Sequence, residues 1–335
     1  MFIRKGTPAL VLAPMDGVTD ALMRRLLTRV TPLSYCVTEF IRVSGSVPPA
    51  KTFLLDVPEL ETGARTESGA PVQVQLLGGD PDLLAESALL ACKLGATAID
   101  LNFGCPAPTV NRHDGGATLL KFPERIEKIV SAVRSAVPKE FSVSAKLRLG
   151  WDDPRAILHN AERAVRGGAA WITIHGRTKM QGYTPPAYWG PIGEVRRSVG
   201  VPVVANGEIW NGDELRRCQD ETGCEHFMVG RGVLAEPGMV DECAKVLGIE
   251  SSLPPVKICG DSGEAWFSLL SLVVEMSIAE GEAPRRTLSR MKQWLNYAHH
   301  RGTVSWFHTV KRIEDVTLML EAIQRGSSRV EREAA

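Results

Sequence analysis

At 335 residues the chain is too long for one small core and long enough for a large α/β domain with a smaller one attached, since single cores seldom grow past about 250–300 residues. With 39 basic and 39 acidic side chains it has no overall field that would draw it to nucleic acid or anionic lipid, so any such attraction must be local. A composition of 44% hydrophobic and 23% charged residues excludes disorder anywhere but near the ends.

The first fifteen residues carry charge too close to a short apolar run, and lack a small-residue cleavage site, to read as a signal peptide. No window is apolar for long enough to span a bilayer, so no membrane association is expected. The seven cysteines, Cys36, Cys92, Cys105, Cys218, Cys224, Cys243 and Cys259, are odd in number and contain no C-x-x-C pair. That spacing fits neither a disulfide framework nor a zinc or iron–sulfur site. The expected setting is a reduced, cytoplasmic one, with no metal.

Short apolar or β-branched runs at 9–13, 34–39, 72–77, 98–102, 142–147, 171–175, 201–206 and 226–229 alternate with amphipathic stretches. The latter include 20–28, 82–93, 123–137, 154–166 and 213–220, opened by Asp or Pro as first-turn residues. Eight strands alternating with helices predict a closed (β/α)8 TIM barrel, of α/β class, over residues 1–248.

Barrel enzymes build their sites at the carboxyl ends of the strands. Here those ends read Pro14-Met15-Asp16-Gly17, Glu39, Gln75, Asn102, Lys146 with Arg148, His175-Gly176-Arg177, Asn206-Gly207-Glu208 and Gly230-Arg231-Gly232. Each has a dull explanation as a turn residue or solvated charge; their shared position is the signal. The last two follow strands seven and eight, the usual place for a phosphate held by loop amides, and Arg231 adds a fork of donors. Lys146 is aimed into the barrel mouth, where it can balance an anion.

The stretch Asp100 to Leu120 is the most distinctive. A strand ends in Asn102 and gives way to Gly104-Cys105-Pro106, a flexible loop and the pair Gly115-Gly116. Glycine lets the backbone turn closely and proline forbids a ladder hydrogen bond, so the Cys105 thiol points out of a loop.

Beyond Gly248 the pattern changes. A polar, proline-containing linker is expected over 249–262, followed by helices at 265–279, 286–300, 304–311 and 313–325 that make a small C-terminal helical bundle, 263–335, frayed from Gly326. Basic residues gather there, among them Arg285, Arg286, Arg290, Lys292, Lys311 and Arg312, interleaved with Trp294, Tyr297, Trp306 and Phe307. Two readings stand open: a nucleic-acid footprint of cations and stacking rings, or a solvated surface over an aromatic core.

Taken together, these segments resemble the tRNA-dihydrouridine synthase family, most closely its bacterial DusC branch. The matching pieces are Ala13 to Val18, Thr38-Glu39-Phe40, Val74 to Gly78, Asp100 to Pro106, Gly115-Gly116-Ala117, Lys146 to Trp151, His175 to Thr178, Ala205 to Trp210, Gly230-Arg231-Gly232 and, in the tail, Arg290 to Leu295. Phe103 departs from the pattern, where relatives often carry a small residue or a second cysteine.

The resemblance implies an FMN enzyme that reduces uridine in tRNA to 5,6-dihydrouridine with NADPH as reductant, acting as a monomer at position 16 of the D-loop. It implies that Pro14, Met15, Asp16, Gln75, Lys146, His175, Asn206, Gly207, Glu208, Gly230 and Arg231 hold the flavin. It further implies hydride transfer to C6 of the base and a proton from Cys105 to C5. Arg42, Asn102, Arg290 and Lys292 are the implied tRNA contacts. The rival readings are a flavin barrel acting on a free pyrimidine, as in dihydroorotate dehydrogenases, and an RNA-binding module without catalysis.

Overall fold

The computed structural model describes the backbone of residues 2–253 and 260–333, and the side chains of all of these but 326–333. Residues 254–259 of the expected linker, Cys259 among them, and 334–335 lie outside the described residues.

Eight strands, β1 (Ala9–Leu12), β2 (Tyr35–Arg42), β3 (Val72–Leu77), β4 (Ala98–Asn102), β5 (Ser142–Arg148), β6 (Ile172–His175), β7 (Val203–Asn206) and β8 (His226–Val229), close in chain order into one barrel. Every neighbouring pair is parallel, β8 returning to β1 through Ala9↔His226 and Leu12↔Val229. The (β/α)8 expectation holds. Only β2 departs clearly from its expected bounds: a register shift between Val37 and Phe40 carries it on to Arg42 along β3.

Side chains alternate along each strand, so one set faces the helices and the other fills the barrel. Leu10, Leu12, Val74, Leu76, Ile99, Leu101, Ala145 and Leu147 belong to the large apolar layer under the helices. The interior set is apolar at one end, where Ile3, Val11, Tyr35, Val37, Trp171 and Val204 cluster. Toward the carboxyl ends it turns polar, with Gln73, Gln75, Asp100, Asn102, Ser144, Thr173 and His175 buried there.

Capping follows the sequence. Asp20 accepts from the Met23 amide ahead of Ala21–Val30, Asp80 from Asp82 and Leu83 ahead of Pro81–Lys93, and Asn211 from Glu214 ahead of Gly212–Thr222. The β2–β3 crossover instead uses a short helix, Ala50–Asp56, and a 3-10 turn, Pro58–Thr62, too brief for periodicity to reveal. Buried Arg24 anchors it, its Nε and Nη2 each 2.8 Å from a carboxylate oxygen of Glu59.

The tail comprises helices Gly263–Ala279, Pro284–Arg301, Phe307–Val310 and Val316–Glu333. Trp266 and Trp294 meet edge-on with ring centroids 6.1 Å apart, and Trp294 Nε1 donates to Leu234 O of the barrel at 2.6 Å. Trp306 and Phe307 are buried as well. Of the two readings of the tail, Trp294, Trp306 and Phe307 follow the aromatic core and are not free to stack on bases, whereas Tyr297 is half-buried. The last helix runs through to Glu333, past Gly326 where fraying was expected, its closing turns being rich in the helix formers arginine and glutamate.

Candidate active site

A cavity of about 370 Å³ opens at the carboxyl ends of the strands, within the range of small-molecule sites. Its lining comes from Phe40 of β2, the ends of β4 to β8, the loops after β1, β4, β6, β7 and β8, and one residue of the tail, Tyr297. Among the described residues no group of three or more His, Cys, Asp or Glu could hold a metal, and no helix is long and apolar enough to cross a membrane.

Cys105 stands on the β4 loop, half-buried beside the cavity. Asn102, the last residue of the strand, holds the turn: its Oδ1 accepts from the amides of Gly104 at 2.9 Å and Cys105 at 3.0 Å. Cys105 O accepts from the Ala117 amide at 3.1 Å and Asn111 Nδ2 at 3.2 Å. Gly116 passes so close, at φ +58°, that a Cβ would stand 2.9 Å from Cys105 O and 2.8 Å from Val110 Cγ1. Burial pushes the thiol above its ordinary pKa, and the Asp16 carboxylate acts in the same direction. The Ala107 amide, Arg148 and Lys146 pull against them.

Facing the loop, β5 contributes Lys146 and Arg148. Burial first, and then the neighbouring Arg148 cation, bring Lys146 down to about 8. Lys146 Nζ lies 3.4 Å from Asn206 Oδ1. Arg148 Nε donates to Gly104 O at 2.7 Å, and its Nη1 to Gly182 O at 2.8 Å, tying the β4 and β6 loops together.

His175 is forced neutral by burial and by Arg148, Lys146, Arg177 and Arg231 around it. Arg177 Nη1, which can only donate, is 3.3 Å from His175 Nε2, so the ring proton belongs on Nδ1. Arg177 also pairs with Glu208 at 2.6 Å, and Glu208 Oε2 accepts from the Ala187 amide at 2.7 Å. Gly207 has φ +120°, and a Cβ there would meet His175 Cδ2 at 2.9 Å. Four cations, Lys146, Arg148, Arg177 and Arg231, line the cavity against two carboxylates, Asp16 and Glu208. The site is built for an anion.

Of the residues singled out in the sequence, Pro14, Met15, Asp16, Asn102, Cys105, Lys146, His175, Asn206, Gly207, Glu208, Gly230 and Arg231 come together on the cavity. Gln75 does not reach it: fully buried behind Asn102, it hydrogen-bonds that side chain and Asp100. Arg42 is exposed at the end of β2, its Nη2 3.5 Å from Thr109 O. Arg290 lies in an ion-pair group with Asp20 and Glu282, and Lys292 is half-buried on the same helix.

Sequence reasoning did not assign Tyr183, Trp210 or Tyr297 to this cavity. Tyr183 lies under the guanidinium groups of Arg148 and Arg231, 5.3 and 5.1 Å from its ring centre. It stands in the 178–188 loop, where no periodicity marks it. Tyr297 was legible: Arg290, Gln293, Trp294 and Tyr297 recur at helical spacing, and this stripe faces the barrel.

The family model described as Dihydrouridine synthase (Dus) matches residues 11–329. The tRNA-dihydrouridine(16) synthase of Aquipseudomonas alcaligenes is 43% identical over 310 residues, 91% of this chain and 96% of that protein. The protein of the same description from Pseudomonas putida is 47% identical over 288 residues, 85% and 86% of the two chains. Among solved structures, histamine dehydrogenase from Rhizobium sp. 4-9 superposes with a TM-score of 0.56 at 13% identity, over 81% of this chain. The match spans half the length of that larger protein and reports a shared fold alone.

Proposed function

Since the chain belongs to the dihydrouridine synthase family, we propose that it reduces uridine to 5,6-dihydrouridine in tRNA, at position 16 of the D-loop, with FMN as cofactor and NADPH as reductant. The observation that carries this reading is the meeting, in one cavity, of a protonated thiol, Cys105, and an excess of cations centred on Lys146.

The residues present suit FMN. The cationic wall formed with Arg177 and Arg231 beside the β7 and β8 loops has the chemistry of a phosphate site. FMN, when bound, supplies the hydride for C6 of the uracil. Lys146, charged at neutral pH, offsets negative charge building up in a site screened from water. Gln75 acts in this reading from behind the wall, through Asn102.

Cys105 supplies the proton for C5. Burial holds its thiol protonated at neutral pH, which suits an acid, whereas a nucleophilic cysteine needs its pKa lowered. Asn102 orients the Cys105 turn and faces the same cavity, within reach of a base turned out of its stack.

The tail, 263–335, grips the surrounding tRNA in this proposal. Arg42 and Lys292 meet phosphates, and Arg290 contributes by fixing the helix that bears Lys292. We further read the enzyme as a cytoplasmic monomer. Mapping dihydrouridine in tRNA from a strain lacking the protein tests the assignment: loss confined to position 16 supports it, and an unchanged map rejects it.

A further inference from the structure

Beneath Cys105 a chain of buried side chains runs across β3, β4 and β5. Gln73 Nε2 donates to Ser144 Oγ at 2.9 Å, and the Ser144 hydroxyl donates to Asp100 Oδ1. From the other side, Gln75 Nε2 donates to Asp100 Oδ2 at 2.7 Å, and Asn102 Nδ2 donates to Gln75 Oε1 at 2.8 Å. Asn102 Oδ1 then receives the two loop amides, Gly104 and Cys105.

Donation therefore converges on Asp100 from both directions. Burial raises the pKa of the Asp100 carboxyl while Ser144, Gln75 and Lys146 pull it back down; with a donor on each oxygen it only accepts, whereas each amide presents one accepting and one donating end. With Asp100 fixed as acceptor, Gln75 must point Nε2 toward it and Oε1 toward Asn102. Asn102 is then obliged to turn Nδ2 toward Gln75, leaving Oδ1 for the loop. Buried donors without partners are costly, so one carboxylate sets the orientation of every group between itself and Cys105.

We propose that Asp100 is a positioning residue for the Cys105 loop, its carboxylate fixing the direction of hydrogen bonding through Gln75 and Asn102 onto the amides of Gly104 and Cys105. The proposal rests on the reading of Cys105 as proton donor for its consequence in catalysis, though not for the order it imposes on the loop.

Asparagine in place of Asp100 offers one acceptor to two donors. Turned one way, it leaves the Ser144 hydroxyl unpaired. Turned the other, it inverts Gln75 and Asn102 in succession and sets an amide NH2 against the amides of Gly104 and Cys105. The pair D100N with Q75E restores the pattern: the introduced amide accepts from Ser144 and donates to the introduced carboxylate, which in turn accepts from Asn102. S144A removes a bond to the same carboxylate without altering the direction of the rest.

The test is amide hydrogen exchange at Gly104 and Cys105 in the purified, FMN-loaded protein, with steady-state kinetics alongside. In D100N the two amides are expected to exchange about tenfold faster or more, the scale of one lost buried hydrogen bond. They should return toward the wild-type rate in D100N/Q75E and stay within about twofold of it in S144A. In D100N, kcat for dihydrouridine formation falls while KM for tRNA and NADPH-driven flavin reduction hold. Unchanged exchange in D100N, equal loosening in S144A, or no recovery in the double variant each overturns the proposal. Should D100N not accumulate as folded protein, a soluble double variant with protected amides is the same rescue, and its failure counts against the idea. A wild-type protein that makes no dihydrouridine rejects the functional reading while leaving the exchange result to stand.

Discussion

Arg290 Nη1 lies 2.7 Å from Asp20 Oδ1, joining residues 270 positions apart and fastening the tail to the mouth of the barrel. Its Nη2 holds Glu282 at 2.8 Å, and the side chain is only 9% exposed. A basic residue in the tail proposed to grip tRNA here serves first to orient that tail. Gln293 Nε2 adds a bond to Gly17 O at 3.1 Å from the same helix.

The Asp20–Arg290 pair is expected to contribute about 1–2 kcal/mol, between the values for exposed and buried pairs. A double-mutant cycle with D20N and R290M, read by urea unfolding, measures it. Asparagine keeps the helix cap, and the cycle separates the Arg290 pair from the second contact of Asp20, with Arg286. A coupling near zero means that the contact does not hold the tail.

Lys292 has a different expectation, because it has no such part in the docking. Lys292→Glu should weaken tRNA binding and reduce its salt dependence by about one charge, leaving FMN content unchanged. Filter binding across a salt series checks both.

The pH profile follows from two opposed shifts. Lys146, brought to about 8 by burial and Arg148, is charged below that pH and neutral above it. Cys105, pushed upward by burial, is still protonated there. Dihydrouridine formation should therefore fall on the alkaline side near pH 8 through loss of the lysine charge. Lys146→Arg should move that fall to higher pH, since a guanidinium does not titrate in this range and the raised Cys105 thiol then sets the limit. Rates measured from pH 6 to 10 decide the point.

Removing the acid gives a fourth outcome. Cys105→Ala is expected to slow dihydrouridine formation by about 10²–10⁴, the range for general-acid catalysis, with the flavin spectrum and NADPH oxidation preserved. Single-turnover assays on unmodified tRNA separate these steps.

Gly207 tests the phosphate end. At φ +120°, with a Cβ only 2.9 Å from His175 Cδ2, alanine is strained by about 1–3 kcal/mol and displaces the imidazole. Gly207→Ala should weaken FMN retention about tenfold, measured by titrating apoprotein with FMN.

The barrel was legible because its signal is repeated eight times and nearly every strand closes on, or leads straight into, a polar or charged group. The cavity was legible for the same reason: Asn102, Lys146, His175 and Asn206 follow from strand ends alone. What pattern could not show was depth. Gln75 was read as a strand end like Asn102, yet β3 runs on to Leu77 and Gln75 lies level with Asp100, one step behind the cavity wall. Tyr183 was hidden because the 178–188 loop carries no period. Trp294 and Trp306 left two readings open because composition cannot tell a buried ring from an exposed one.

The central claim is tested most directly by incubating the purified, FMN-loaded protein with NADPH and unmodified tRNA and mapping the product base by base. The expected result is dihydrouridine at position 16 from the wild-type protein and almost none from Cys105→Ala. A wild-type protein that oxidises NADPH yet leaves every uridine of the tRNA intact would contradict the account.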